Sequence, residues 1–66
     1  MTDLERAERS LLKAAGSGEV VPSARLLIQA EKTRPQIPAD TVRSAYWTLV
    51  SEGKLERTAH GVRRKA

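Results

Sequence analysis

Cysteine and phenylalanine are both missing from this 66-residue chain. Without cysteine there are no disulfides and most zinc frameworks are excluded, which fits a reducing compartment. With one Trp, one Tyr and no Phe, the core has to be built mainly from Leu, Val, Ile and Ala. Long apolar runs are missing too. Leu26-Leu27-Ile28 is as long as any, far short of a membrane span. The first residues carry mixed charge and hold no apolar stretch of the signal-peptide kind. A soluble, cytoplasmic protein is expected. The length implies one domain over residues 1–66 with a single small core. A chain of this size buries only about 60% of its unfolded surface, so its stability is marginal.

Catalytic sets are also absent. His60 is the one histidine and lies between Ala59 and Gly61 in a turn-like stretch. A lone histidine in a loop is more often a surface residue than a general base. No carboxylate pair, Gly-rich phosphate loop or Ser-His-Asp set is evident, and metal ligands are lacking. The expectation is a protein that is not an enzyme, with no cofactor, metal or small-molecule ligand.

What the chain does have is a lopsided charge. The net charge is +4. Residues 1–33 are balanced, with Arg6, Arg9, Lys13, Arg25 and Lys32 against Asp3, Glu5, Glu8, Glu19 and Glu31. Residues 34–66 carry the whole excess, with Arg34, Arg43, Lys54, Arg57, Arg63, Arg64 and Lys65 against Asp40, Glu52 and Glu56. Such asymmetry suggests a surface that faces a polyanion. A solvated basic tail is the plainer reading.

Punctuation divides the chain. Leu4, Ala7, Leu11, Leu12 and Ala15 recur at helical spacing, and Thr2 with Glu5 makes a capping box, so a first helix is expected over 3–15. Gly16 and Gly18 end it. Val20-Val21 is β-prone. A second helix follows with Ser23 as its N-cap. Its inward residues are expected to be Leu27 and Ala30, with Leu26 or Ile28 beside them. It has to stop before Pro35, because a residue ahead of proline is pushed from helical angles. A third helix starts near Pro38 and runs over about 39–52. On a 100° wheel Val42, Ala45, Tyr46 and Leu49 share one face, while Arg43, Ser44, Trp47 and Ser51 fall on the other. Gly53 ends this helix. Lys54–Thr58 and Val62–Lys65 then read as a hairpin that turns at Ala59-His60-Gly61.

Three helices followed by a small C-terminal hairpin is a mainly α architecture. Its order resembles a winged helix-turn-helix, with residues 54–65 as the wing. VPSARLL at 21–27 and TVRSAYWTLVSEGKLER at 41–57 sharpen the likeness. They resemble the DNA-binding domain of GntR-type regulators over residues 20–62. The matching positions are Pro22, Ser23 and Arg25, then Thr41, Val42 and Arg43, then Glu52, Gly53 and Arg57. The chain departs from that family in the connector from Lys32 to Ala39, which is longer and carries prolines where the family has a tight glycine turn. It also holds no counterpart of the family's separate effector or dimerisation domain.

The resemblance implies that Arg25 and Arg43 contact DNA and that Thr41 bonds a phosphate or a base edge. Ser44 and Trp47 lie beside Arg43, and Arg57, His60, Arg63, Arg64 and Lys65 complete the expected DNA surface. Arg suits phosphate and guanine because its fork makes paired bonds. Arg57 has a second reading, an ion pair with Glu56 or Glu52. The function expected is that of a DNA-binding protein, a small transcription regulator or phage-type accessory factor that is nucleoid-associated. The alternative is a winged-helix module that binds a protein partner through the surface around Trp47. Trp47 lies off its own helix's apolar face, so partial cover from the hairpin or helix two is expected, with its indole N–H bonded. A module this small would need a homodimer or a neighbouring protein to reach specific affinity, since one module buries roughly 600–1,000 Å² on DNA.

Overall fold

Thr2 starts the first helix as the capping box requires. Its hydroxyl accepts the Glu5 N–H at 3.2 Å, and the Glu5 carboxylate accepts the Thr2 N–H at 3.4 Å. Two orphan donors are satisfied at once. In the computed structural model, which describes residues 2–16 and 19–65, this helix is α1 (Asp3–Ala15). Its buried stripe is Ala7, Leu11 and Ala15, one residue per turn. The small residues let α1 lie close to its neighbours. Gly16, at φ 67°, ends the helix in a conformation that favours glycine. The expected stop at Gly18 falls outside the described residues.

Helix α2 (Ser23–Glu31) begins one residue earlier than a Ser23 cap would place it. Pro22 is the cap residue and Ser23 is already helical, because the Leu26 N–H bonds the Pro22 carbonyl at 3.0 Å. The Ser23 side chain therefore caps nothing. The inward pair is Leu26 and Ala30, Leu27 is half-buried, and Ile28 is 54% exposed. Ala30 faces inward as expected, and Leu26, expected only beside the stripe, takes the fully buried place expected for Leu27. The helix ends at Glu31, ahead of Pro35 as expected.

The connector to the third helix carries a residue of the core. Ile37 is fully buried, and nothing in the helical spacing marked it. The Arg6 guanidinium holds the segment from α1. It donates to the Pro35 carbonyl at 2.6 Å and to the Thr33 hydroxyl at 3.4 Å. Thr33 also donates to the Pro35 carbonyl at 3.0 Å. Helix α3 (Ala39–Ser51) follows with Pro38 as its cap residue and ends one residue before the expected limit. Val42, Ala45, Tyr46 and Leu49 are buried, as the wheel requires. Gly53, at φ 77°, carries the chain out of the helix.

Strands β1 (Leu55–Thr58) and β2 (Gly61–Arg64) pair antiparallel, with Leu55 opposite Arg64 and Thr58 opposite Gly61. The turn is Ala59-His60, shorter than expected, because Gly61 belongs to the ladder. Lys54 and Lys65 lie just outside the strands, joined by the Lys65 N–H to Lys54 carbonyl bond at 3.1 Å. Side chains alternate, so Leu55 and Arg57 share a face with their partners Arg64 and Val62. Leu55 and Val62 bring that face into the core formed by the three helices. The β-prone Val20-Val21 stretch reduces to a single bridge residue. Val21 exchanges two 2.8 Å backbone bonds with Val62. This bridge explains Gly61 more fully than the turn does. A Cβ there would run into the Val21 carbonyl, and φ is 147°. The architecture is three helices with a two-stranded antiparallel hairpin.

Candidate nucleic-acid interface

The outer face of α3 carries Arg43, Ser44 and Trp47, all exposed, with Thr41 half-buried at the start of the helix. Arg43 and Trp47 lie one helical turn apart. The Thr48 hydroxyl donates to the Ser44 backbone carbonyl at 2.9 Å, and Ser44 itself is exposed.

Trp47 is 49% exposed. It is held from two sides. The edge-on ring of Tyr46 lies 5.2 Å away at 76°, and the Arg57 guanidinium lies over the indole at 4.9 Å from its centroid. The hairpin supplies that cover, as expected for one of the two candidate elements. Its indole N–H, however, has no hydrogen bond among the described residues, so the expected partner is missing. Arg57 pairs with neither Glu56 nor Glu52, because its strand position turns it toward α3.

Glu56 and Arg63 face each other across the hairpin's outer side and form an ion pair at 3.1 Å. Glu52 pairs with Lys54 at 3.7 Å. These contacts occupy two of the three acids of the C-terminal segment, while Asp40, exposed in the first turn of α3, has no ion pair among the described residues. Arg43, Arg57, Arg64 and Lys65 keep their charge without a carboxylate partner among the described residues. His60 is exposed at the hairpin turn, its N–H on the Thr58 hydroxyl at 3.2 Å. Arg25 is exposed on α2. Of the residues expected to form the site, Trp47 on α3 and Arg57 on the hairpin are brought into contact by the fold.

A cleft of about 290 Å³ lies between the start of α2 and the hairpin turn, lined in part by Ser23, Tyr46, Arg57 and His60. The pattern of apolar spacing could not reveal it, because Tyr46 reads simply as a core residue. Two further features concern the described residues alone. No group of three or more His, Asp or Glu is placed to hold a metal ion, and no helix is long and apolar enough to cross a membrane. No family model matches the chain, and no curated protein or solved structure matches it.

Proposed function

We propose that the chain binds duplex DNA as a winged helix-turn-helix module, with α3 in the major groove and the hairpin as the wing on the backbone. The observation that carries this reading is the segregation of charge. Among the described residues, Arg43, Arg57, Arg64 and Lys65 have no carboxylate partner, while Glu52 and Glu56 are taken up by Lys54 and Arg63. Asp40, in the first turn of α3, is the acid of this segment that keeps its charge, so a polyanion meets little repulsion over the rest of the surface. The likeness of residues 20–62 to GntR-type domains supports the same reading, and with it the role of a small transcription regulator or phage-type accessory factor. A homodimer or a neighbouring protein would supply the remaining affinity.

A second reading rests on Trp47. A half-exposed tryptophan stacked under an arginine is also the chemistry of a protein hot spot. A titration with random duplex DNA across a salt series separates the two. Binding that weakens steeply with salt supports the DNA module, with a slope of roughly 0.9 per phosphate contact. Arg43→Ala is expected to weaken binding by about 1–3 kcal/mol if it makes a paired base contact. Lys13→Ala, on the groove between α1 and α2, is the control and leaves affinity unchanged. No binding at low salt favours the protein partner.

A further inference from the structure

The start of α2 is left without a cap. No side chain bonds its first turn, and no acid lies there. The first helical bond comes from Leu26, so the N–H groups of Ser23, Ala24 and Arg25 have no partner among the described residues. Pro22 and Ser23 bring this positive end to the cleft beside the hairpin turn. The Val21–Val62 bridge fixes the arrangement, because Val21 directly precedes Pro22 and Val62 follows the turn.

A second, independent observation comes from Tyr46. The residue is 5% exposed and lines the cleft. Its hydroxyl has no hydrogen bond among the described residues. It is not sealed off either, since among the described residues no buried side-chain polar atom lacks a partner. The hydroxyl of this cleft-lining residue is thus reachable and has its hydrogen-bonding capacity unused. The Arg57 guanidinium adds positive charge to the lining, the Ser23 hydroxyl and His60 add polar groups, and among the described residues no carboxylate lines the cleft.

We infer that this cleft seats one phosphate group, a phosphodiester of the duplex backbone. Free N–H groups at a helix start suit the oxygens of a tetrahedral anion, and the helix dipole favours the charge. The Tyr46 hydroxyl donates from the buried side and Arg57 from the rim. Arg57 thereby links the phosphate to the Trp47 platform on α3. The inference rests on the DNA-binding reading for the source of the phosphate, but not for the presence of the anion site.

The test uses the whole chain and Tyr46→Phe, which keeps the buried ring and removes only the hydroxyl. Inorganic phosphate is titrated into isotope-labelled protein at constant ionic strength. The expected result is saturable shifts at the amides of Ser23, Ala24 and Arg25, with affinity about five-fold lower in Tyr46→Phe, the loss of one hydrogen bond. Shifts that never saturate, or that spread evenly to Lys13 and Lys32, overturn the site. Random duplex is titrated in parallel. Tyr46→Phe is expected to bind it about five-fold more weakly at an unchanged melting temperature. If Arg43→Ala weakens duplex binding while Tyr46→Phe does not, the DNA reading stands and the phosphodiester assignment fails. If phosphate saturates the cleft but the parent binds no duplex at low salt, the DNA reading fails and the phosphodiester assignment falls with it.

Discussion

Trp47 is clamped, not buried. Its neighbours Tyr46 and Arg57 restrict the ring while about half of its surface stays bare. A cation over an exposed indole contributes about 0.5–1 kcal/mol. Trp47→Ala is therefore expected to lower stability by less than the roughly 3–5 kcal/mol of a full core truncation. Chemical denaturation measures this, and a loss inside that range would make Trp47 an ordinary core residue. Gly61 is the opposite case, a small residue with no freedom. The Val21 backbone crosses where its side chain would be, and its φ is positive. Gly61→Ala is expected to cost about 1–3 kcal/mol, read from the shift of the urea midpoint.

Among the elements, the connector between α2 and α3 owes its shape to an arginine on α1. Arg6 bonds the Pro35 carbonyl across 29 positions of sequence. Two residues beyond that bond Ile37 is fully buried, and α3 begins at Ala39. Arg6→Ala is expected to destabilise the protein by about 1.5 kcal/mol, as for a hydrogen bond to a charged donor. Hydrogen exchange checks the mechanism: the amides at the start of α3 should lose protection before those of α1. Loss of protection in all elements together would mean that Arg6 does not act through the connector. The hairpin shows how one short element can have two electrical faces. On its outer face Glu56 offsets Arg63, while Arg57 and Arg64 lie on the face that joins α3.

For the molecule as a whole, this difference ranks the hairpin's cations against a polyanion. Arg64→Ala is expected to flatten the salt dependence of duplex binding by roughly 0.9, the value for one phosphate contact. Arg63→Ala is expected to do less, because its charge is already offset by Glu56 at 3.1 Å. Equal effects from the two, or a larger one from Arg63, would move the polyanion to the outer side of the hairpin. The charge distribution has a second consequence. The α1–α2 groove also carries cations, among them Lys13 and Lys32. It lies in the half of the chain where bases and acids balance. Lys32→Ala should therefore leave the salt slope unchanged, which the same titration series reads.

The bounds of α1, the two faces of α3 and the presence of the hairpin were legible in the residues themselves. Each depends on local physics: a 3.6-residue period, a capping hydroxyl, a glycine that leaves the helix. Thr2 with Glu5, and Val42 with Ala45, Tyr46 and Leu49, carry those signals within a few positions. Local signals were also enough to put Trp47 outside its helix's apolar face. They were not enough for the inward face of α2, where three successive apolar residues leave the phase of a nine-residue helix ambiguous. Tertiary structure alone decided that Ile37 is core, that Arg6 holds the connector, that Arg57 lies over Trp47, and that Gly61 makes room for Val21. It also joined the uncapped start of α2 to the Tyr46 hydroxyl and the hairpin turn in one cleft. All of these are contacts between segments far apart in the chain, and periodicity records only which way a side chain points from its own element, never what folds over to meet it.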